Sequence, residues 1–436
     1  MTAMESVAAS SMSAAASMPR FGDGSVNMQE LARQLVEQVV NEVMSTEADM
    51  ACEDVGTARN GYRDRKLNTC IGTLNLRMPK VRNGCFFPED VIERYSRTDR
   101  ALVAAVAEMY RSGVSTRKVE GVAKTLGVDR LSKDQVSRIC AALDAEAADL
   151  NGRMFGEDEE LPYLWLDATY VKCRDGGHVS STAVVTAIAC DGQGYRHMVG
   201  FDVVDTESYD SWLPFLRRLR SRGVRGVRLV VSDAHEGLVR AISETFLGAA
   251  WQRCIVHLIR DCCRATRSRS KRVRVAKLLS PVFRAKDALA VRALYHRATQ
   301  MVGQVSQEAQ RVLVEAEPDA LAYLDFPSSH WKRLRTNNVQ ERCNREIKRR
   351  SRVVQVFPSR QSLVRLVGAV VAESDETWSQ SRYFAEGKMD EFWSLLERCG
   401  HGDGSEPITD ARRAAADEEA RKVLDAAGVA MEREAA

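Results

Sequence analysis

Three β-rich segments follow one another closely: YLWLDATYVK (163–172), HVSSTAVVTAIAC (178–190) and GYRHMVGFDVV (194–204), separated by the turn sequences DGG and DGQG. This run constrains the fold more than any other feature, because strands joined by such short turns pair as an antiparallel meander. A helical segment follows with Trp212, Phe215, Leu216 and Leu219 on one face. Then come a strand, VRLVVSD (227–233), a second helix and another strand, AWQRCIV (250–256). Three sequential strands and then helix, strand, helix, strand predict a mixed five-stranded α/β sheet, a meander feeding parallel crossovers.

From about 260 to 325 the chain reads as helix throughout, and a further helix covers 337–350. The acidic stretch GEDEELP (156–162) marks a linker on the N-terminal side of the sheet. Before it, Leu31, Leu35, Val39 and Val43 recur every four residues and predict an amphipathic helix, as a packing element or a dimer contact. CIGTLNLRMPKVRNG (70–84) alternates as a strand, limited to a sheet edge by Pro79. Two short helices then share a glycine turn. Val119, Val122, Ala123 and Leu126 define the first, Gly127 its left-handed end, and Ser132 with Gln135 a capping box for the second, which carries Val136, Ile139, Cys140 and Leu143. Such a pair is a helix-turn-helix candidate presenting Lys133, Gln135, Ser137 and Arg138 to a DNA groove, although any helical hairpin has similar spacing.

The expected organisation is a disordered leader over 1–25, a helical and β-hairpin region holding the DNA-binding candidate over 26–155, an α/β domain over 160–385 with a helical stretch near 260–330, and a C-terminal helix and flexible tail over 386–436. The leader lacks the basic start and apolar stretch of a signal peptide, and no apolar run approaches a membrane span. Eleven cysteines without a C-x-x-C pair argue against a disulfide framework and for a reducing, cytoplasmic setting. Net charge is only +3, yet residues 260–277 carry eight Lys or Arg against one Asp, and residues 331–352 carry nine against two Glu. Two basic blocks in a near-neutral chain suggest a polyanionic partner.

The chemistry starts with the acids. Asp167 ends the apolar half of the first strand and Asp233 ends the fourth, and in the predicted sheet these strands are neighbours. Two carboxylates at one sheet end repel unless a cation lies between them, and Mg²⁺ or Mn²⁺ is the natural occupant. A third acid completes a two-metal site for phosphoryl displacement. Glu341, in TNNVQERCNREIKRR, is the best candidate, with a salt bridge to Arg345 as the plain structural alternative and Glu346 as a competitor one turn on.

LDATYVK, VVSDAHEGL, WQRCIVHLIR and TNNVQERCNREIKRR together resemble the signature blocks of Mutator-type bacterial insertion-sequence transposases, in order and spacing, from about residue 60 to 385. The resemblance implies a ribonuclease-H-like core with a helical insertion before the glutamate helix, and an Asp167, Asp233, Glu341 triad. On this reading Asp167 bridges two Mg²⁺ ions (or Mn²⁺) and the other two acids complete one each. It implies metal-dependent cleavage at the element's end and strand transfer, with double-stranded DNA (terminal inverted repeats and target) as partner. A homodimer or larger homo-oligomer is expected, in the cytoplasm and associated with the bacterial nucleoid. Many relatives have Pro where this chain has Asn338, and either residue suits a helix start.

The basic helix supplies further DNA-contact candidates: Arg342, Arg345, Lys348, Arg349 and Arg350. Cys254 and His257 match a C-x-x-H signature of the same group; no second Cys/His pair at fitting distance supports a zinc site, so they are read as shaping the active site or contacting DNA. His235 is expected to bond a neighbouring backbone group rather than position metal or water. Asp202 and Asp205 are rivals for a metal role, while Asp175, Asp191 and Glu207 are taken as ordinary turn or strand-end acids. An aspartyl phosphotransferase is disfavoured because Thr169 stands where its second acid belongs. A domesticated, catalytically silent DNA-binding regulator and a plain endonuclease are the remaining alternatives.

Overall fold

The computed structural model describes residues 18–82, 86–89, 91–94, 96–128, 131, 133–141, 143–400 and 409–435. The chain divides into two compact units, 1–143 and 144–436. Most of the expected leader lies outside the described residues.

In the first unit, helix α1 (Met28–Val55) begins at Asn27, whose side chain accepts the Glu30 N–H. Leu35 and Val39, of the stripe read as a packing element or a dimer contact, are 54% and 57% exposed. The stripe one residue further on, Val40, Met44, Ala48 and Cys52, faces inward instead. Met44 packs with Leu74, Leu76, Met78 and Ile92, so the hairpin selects this stripe from two that the sequence offers. That hairpin pairs β1 (Arg59–Thr69) with β2 (Gly72–Val81) around Cys70 and Ile71. The sequence marks β2 directly; its partner in the expected hairpin, β1, reads RNGYRDRKLNT, is mostly exposed and carries no apolar alternation. Helices α2 (Arg100–Arg111), α3 (Thr116–Thr125) and α4 (Lys133–Cys140) pack on one another through Val106, Val119, Ala123, Val136 and Cys140. Val122, expected on the inner face of α3, is 41% exposed. Gly127 takes the left-handed conformation anticipated for it, with φ +77°. The expected cap Ser132 lies outside the described residues.

The second unit follows from α5 (Leu143–Gly152). Its sheet contains β3 (Tyr163–Asp175), β4 (His178–Cys190), β5 (Arg196–Val204), β6 (Leu229–Ser232) and β7 (Ala250–Arg253), in the order β5-β4-β3-β6-β7. The first three strands are antiparallel, and β3-β6 and β6-β7 are parallel. The mixed sheet is therefore the one the spacing predicts. Strand alternation sends Leu164 and Leu166 to one face, where α6 (Tyr209–Ser221) and α7 (Glu236–Thr245) bury Trp212, Phe215, Leu216, Leu219, Leu238 and Ile242. Tyr163 and Trp165 point to the other face and meet Phe326, Tyr383, Phe384 and Phe392 edge-on or tilted. By the same alternation Asp167 belongs to this second face.

The strand expected over 250–256 stops at Arg253. Cys254 donates its N–H to the Ser232 carbonyl at 2.8 Å, and α8 (Ile255–Ala265) starts immediately. Helices α9 (Arg269–Leu279), α10 (Ala288–Val305) and α11 (Gln307–Ala320) fill the region read as helical, and the short α12 (Trp331–Leu334) precedes α13 (Asn338–Val354). After α14 (Arg360–Ser379) and α15 (Lys388–Gly400), residues expected in a flexible tail form α16 (Asp410–Ala435), which packs on α10 with Ala420 and Leu424 buried. Among the described residues no helix is long and apolar enough to cross a membrane.

Candidate functional site

The parallel register of β3 and β6 sets the site. Tyr163 pairs with Leu229 and Trp165 with Val231, so the same register continued two residues brings position 167 level with 233. Both strands deliver their aspartates at one end of the sheet. Asp167 is 9% exposed, and its Oδ1 accepts the Ala168 N–H at 3.0 Å. Asp233 follows the last residue of β6, and its Oδ1 accepts the His235 N–H at 3.3 Å.

Helix α13 is laid across β3 by three amide side chains at positions 337, 340 and 344, a spacing that keeps them on one helix face. Asn337 donates to the Leu166 carbonyl at 2.9 Å. Gln340 donates to the Trp165 carbonyl at 2.6 Å and to the Thr186 carbonyl at 3.1 Å, and accepts the Thr186 hydroxyl at 2.8 Å. Asn344 donates to Asp167 Oδ2 at 2.8 Å. All three are buried. They lock the helix in register with the strand and so present Glu341, one residue after Gln340, to the same sheet end.

Asp167, Asp233 and Glu341 line a single cavity of about 820 Å³. Glu207, His257 and Asn344 share the wall, and Arg260, Arg264, Arg345, Lys348, Arg349 and Arg352 form its basic side. Burial above all, and then the neighbouring Asp233, push the Asp167 carboxyl up to about 7. Glu341 makes no ion pair with Arg345 among the described residues, so the salt-bridge alternative is not what the structure contains. Glu346 also reaches the cavity but pairs with Arg349 at 2.9 Å.

The donor set is hard oxygen: three carboxylates, with the Asn344 side-chain oxygen buried nearby and lacking a hydrogen-bond partner. That chemistry fits Mg²⁺ or Mn²⁺. Among the described residues no three His, Cys, Asp or Glu side chains form a ready-made metal cluster, so the acids border one cavity without closing on a common point.

Cys254 is fully buried, and its sulfur accepts the Asn337 N–H at 3.3 Å. It thereby ties the end of β7 to the start of α13, and burial raises its thiol pKa. Burial likewise lowers His257, which lines the cavity with Nδ1 lacking a partner. His235 stands at the start of α7 without a side-chain capping bond, and its Nδ1 is also buried and unpartnered. Asp202 pairs with Arg218, and Asp205 with Arg360 at 3.2 Å, so neither rival acid reaches the cavity. Among the basic candidates, Arg342, Arg345, Lys348 and Arg349 are exposed along α13. Arg350 instead is 7% exposed and pairs with Glu373 at 2.5 Å, fastening α13 to α14. In the first unit, Ser137 and Arg138 are exposed and Gln135 is half-buried; the side chain of Lys133 lies outside the described residues.

Sequence reasoning missed the amides Asn337, Gln340 and Asn344, and passed over Glu207. The amides did leave a signal, since buried-face spacing in so basic a helix falls on polar residues as well as on Cys343 and Ile347.

A mixed sheet ending in two aspartates, with a glutamate helix and a basic wall beside them, defines an α/β protein with a carboxylate-centred site. A family model described as "Transposase, Mutator family" matches residues 3–381. The transposase for insertion sequence element IS1081 of Mycobacterium tuberculosis is 38% identical over 365 residues, covering 81% of this chain and 87% of that protein. The transposase of ISRM5 from Rhizobium meliloti is 36% identical, covering 81% and 89%. That of IS256 in transposon Tn4001 from Staphylococcus aureus is 35% identical, covering 80% and 89%. The chain belongs to the Mutator family of transposases. Among solved structures, a Drosophila P element transposase strand transfer complex matches at TM-score 0.27 and 14% identity, over 78% of this chain and 92% of that one, too slight a likeness to describe this fold.

Proposed function

We propose that this chain is the transposase of an insertion sequence, cleaving DNA at the element's ends and joining the freed 3′ hydroxyl to target DNA. The observation that carries the reading is the single cavity in which Asp167, Asp233 and Glu341 face a basic wall. The three acids would hold two divalent cations, Mg²⁺ or Mn²⁺. Such ions, when bound, offset charge on the reacting phosphate and activate the attacking oxygen. Asn344 keeps the Asp167 carboxylate fixed, which limits the reorganisation needed when phosphate arrives. Arg345, Lys348 and Arg352 neutralise the DNA backbone beside the acids and orient it.

The sheet order, three antiparallel strands followed by two parallel ones, supports a ribonuclease-H-like core. Helices α3 and α4, packed around the turn at Gly127, support a helix-turn-helix that reads the terminal inverted repeats. In this reading the chain works as a homodimer or larger assembly holding two ends, and the uncovered stripe of Leu35, Val39 and Val43 on α1 supports such a contact.

The test is incubation of purified protein with labelled DNA spanning one boundary of its own gene, with and without Mg²⁺, beside Asp233→Asn. A nick at a fixed position that needs metal and vanishes in a variant still able to bind DNA is the expected result. If wild type and variant bind equally and neither cuts, even with both ends supplied, the enzyme reading fails and a DNA-binding regulator takes its place. A strand-transfer assay then separates a transposase from a plain endonuclease.

A further inference from the structure

Resting on the proposed cation-binding role of the three acids, we propose that Glu207 is a fourth carboxylate of the site, binding divalent cation together with Asp233. Three acids follow one another near the end of β5, and the structure treats them differently. Asp202 and Asp205 are each neutralised by an arginine, Arg218 and Arg360 respectively. Glu207 has no ion-pair partner among the described residues, although Arg260, Arg264 and Arg345 line the same cavity. Its one hydrogen-bond donor there is the Trp212 indole N–H, at 3.3 Å from Oε1.

The close approach of this segment to Asp233 is built into the backbone. Gly237 occupies the first turn of α7, directly after the Asp233 turn. A Cβ at Gly237 would lie 2.5 Å from the Tyr209 nitrogen and 3.0 Å from the Ser208 carbonyl carbon. Only glycine lets the 207–209 segment sit against the start of α7, and Glu207 is thereby held on the Asp233 side of the cavity. Two carboxylates on one side of a cavity, neither of them in an ion pair among the described residues, repel each other, and a cation between them offsets that repulsion.

Asn344 supplies an independent sign that the cavity takes a ligand. The residue lines the cavity and is 7% exposed, its N–H is used on Asp167, and its side-chain oxygen is buried with no partner. A buried amide oxygen left in this state is suited to a cation or to the water such an ion carries.

The measurement is a Mn²⁺ titration of the full chain without DNA, read by loss of the free-ion electron paramagnetic resonance signal, for wild type, Glu207→Gln, Glu207→Asp and Asp233→Asn. Glutamine keeps an oxygen for the Trp212 N–H, so Glu207→Gln removes charge with little change in packing. Its Mn²⁺ affinity should fall about tenfold or more, with Glu207→Asp between it and wild type, and DNA affinity in chelator should not change. Wild-type Mn²⁺ affinity in Glu207→Gln, with Asp233→Asn impaired, overturns the assignment of Glu207 and leaves the three-acid site standing. Unchanged affinity in both variants removes the cation reading of the whole site. If Glu207→Gln fails to fold, Glu207→Asp decides: a weakened Mn²⁺ affinity supports the role, and an unchanged one rejects it.

Discussion

Asn344 donates to Asp167 Oδ2 at 2.8 Å, so the helix that carries Glu341 also holds the carboxylate of the central strand. Asp167 and Glu341, far apart in sequence, are thus positioned by one helix. A hydrogen bond to a charged group contributes roughly 1.5–3 kcal/mol, about a 10- to 100-fold change in rate when it acts only on the reactive geometry. Asn344→Ala should slow single-turnover nicking by about that factor while end binding in chelator stays as in wild type. Wild-type nicking in Asn344→Ala would show that Asp167 needs no such restraint.

The raised pKa of Asp167 gives the metal-free protein a pH-dependent weakness. Its carboxyl titrates near 7 in the folded state, against about 4 when unfolded. The fold therefore prefers the protonated acid. Stability from this group is intact below about pH 4 and is lost as pH rises towards 7, by at most on the order of 4 kcal/mol. In chelator, Asp167→Asn should raise the melting temperature at pH 8 by several degrees and leave it nearly unchanged at pH 4. An equal gain at both pH values would mean that charge is not the cause.

Gln340 uses both ends of its amide on β3 and β4, accepting from one side chain and donating to two carbonyls while fully buried. Gln340→Ala leaves those groups unsatisfied and opens a void. Urea unfolding should show a loss of roughly 2–4 kcal/mol. Arg345→Ala, an exposed neighbour on the same helix, should stay within about 0.5 kcal/mol of wild type. If the two variants are equally stable, the amide ladder does not hold α13 in place.

What the sequence disclosed follows the reach of its signals. Strand runs bounded by DGG and DGQG turns are local, so the sheet and the approach of Asp167 to Asp233 were legible from spacing alone. Glu341 was legible only as one of two acids in a basic helix, with Glu346 as its competitor. The amide ladder was not, because whether Asn337 or Gln340 bonds water or β3 is decided by packing between elements. Which face of α1 packs was left open for the same reason: two stripes one residue apart were both apolar enough, and the hairpin with Leu74, Leu76 and Met78 chose between them. Glu207 hid among ordinary acids, since what separates it from Asp202 and Asp205 is the arginine each of those has found.

The same distinction between exposed and occupied charge divides the basic residues of α13. Lys348 and Arg352 are exposed, line the cavity and have no acidic partner among the described residues. Arg350 is buried against Glu373. Each phosphate neutralised by a side chain adds about 0.9 to the slope of log affinity against log salt. Lys348→Ala combined with Arg352→Ala should therefore reduce that slope by roughly two, with the fold unchanged. Arg350→Ala should leave the slope alone and instead lower stability, by on the order of 1–3 kcal/mol, because it breaks the tie between α13 and α14. Fluorescence anisotropy with end-labelled DNA across a salt series, beside urea unfolding of the same variants, separates the two effects. A slope that falls with Arg350→Ala and not with the double variant would put the DNA backbone on a different face of this helix.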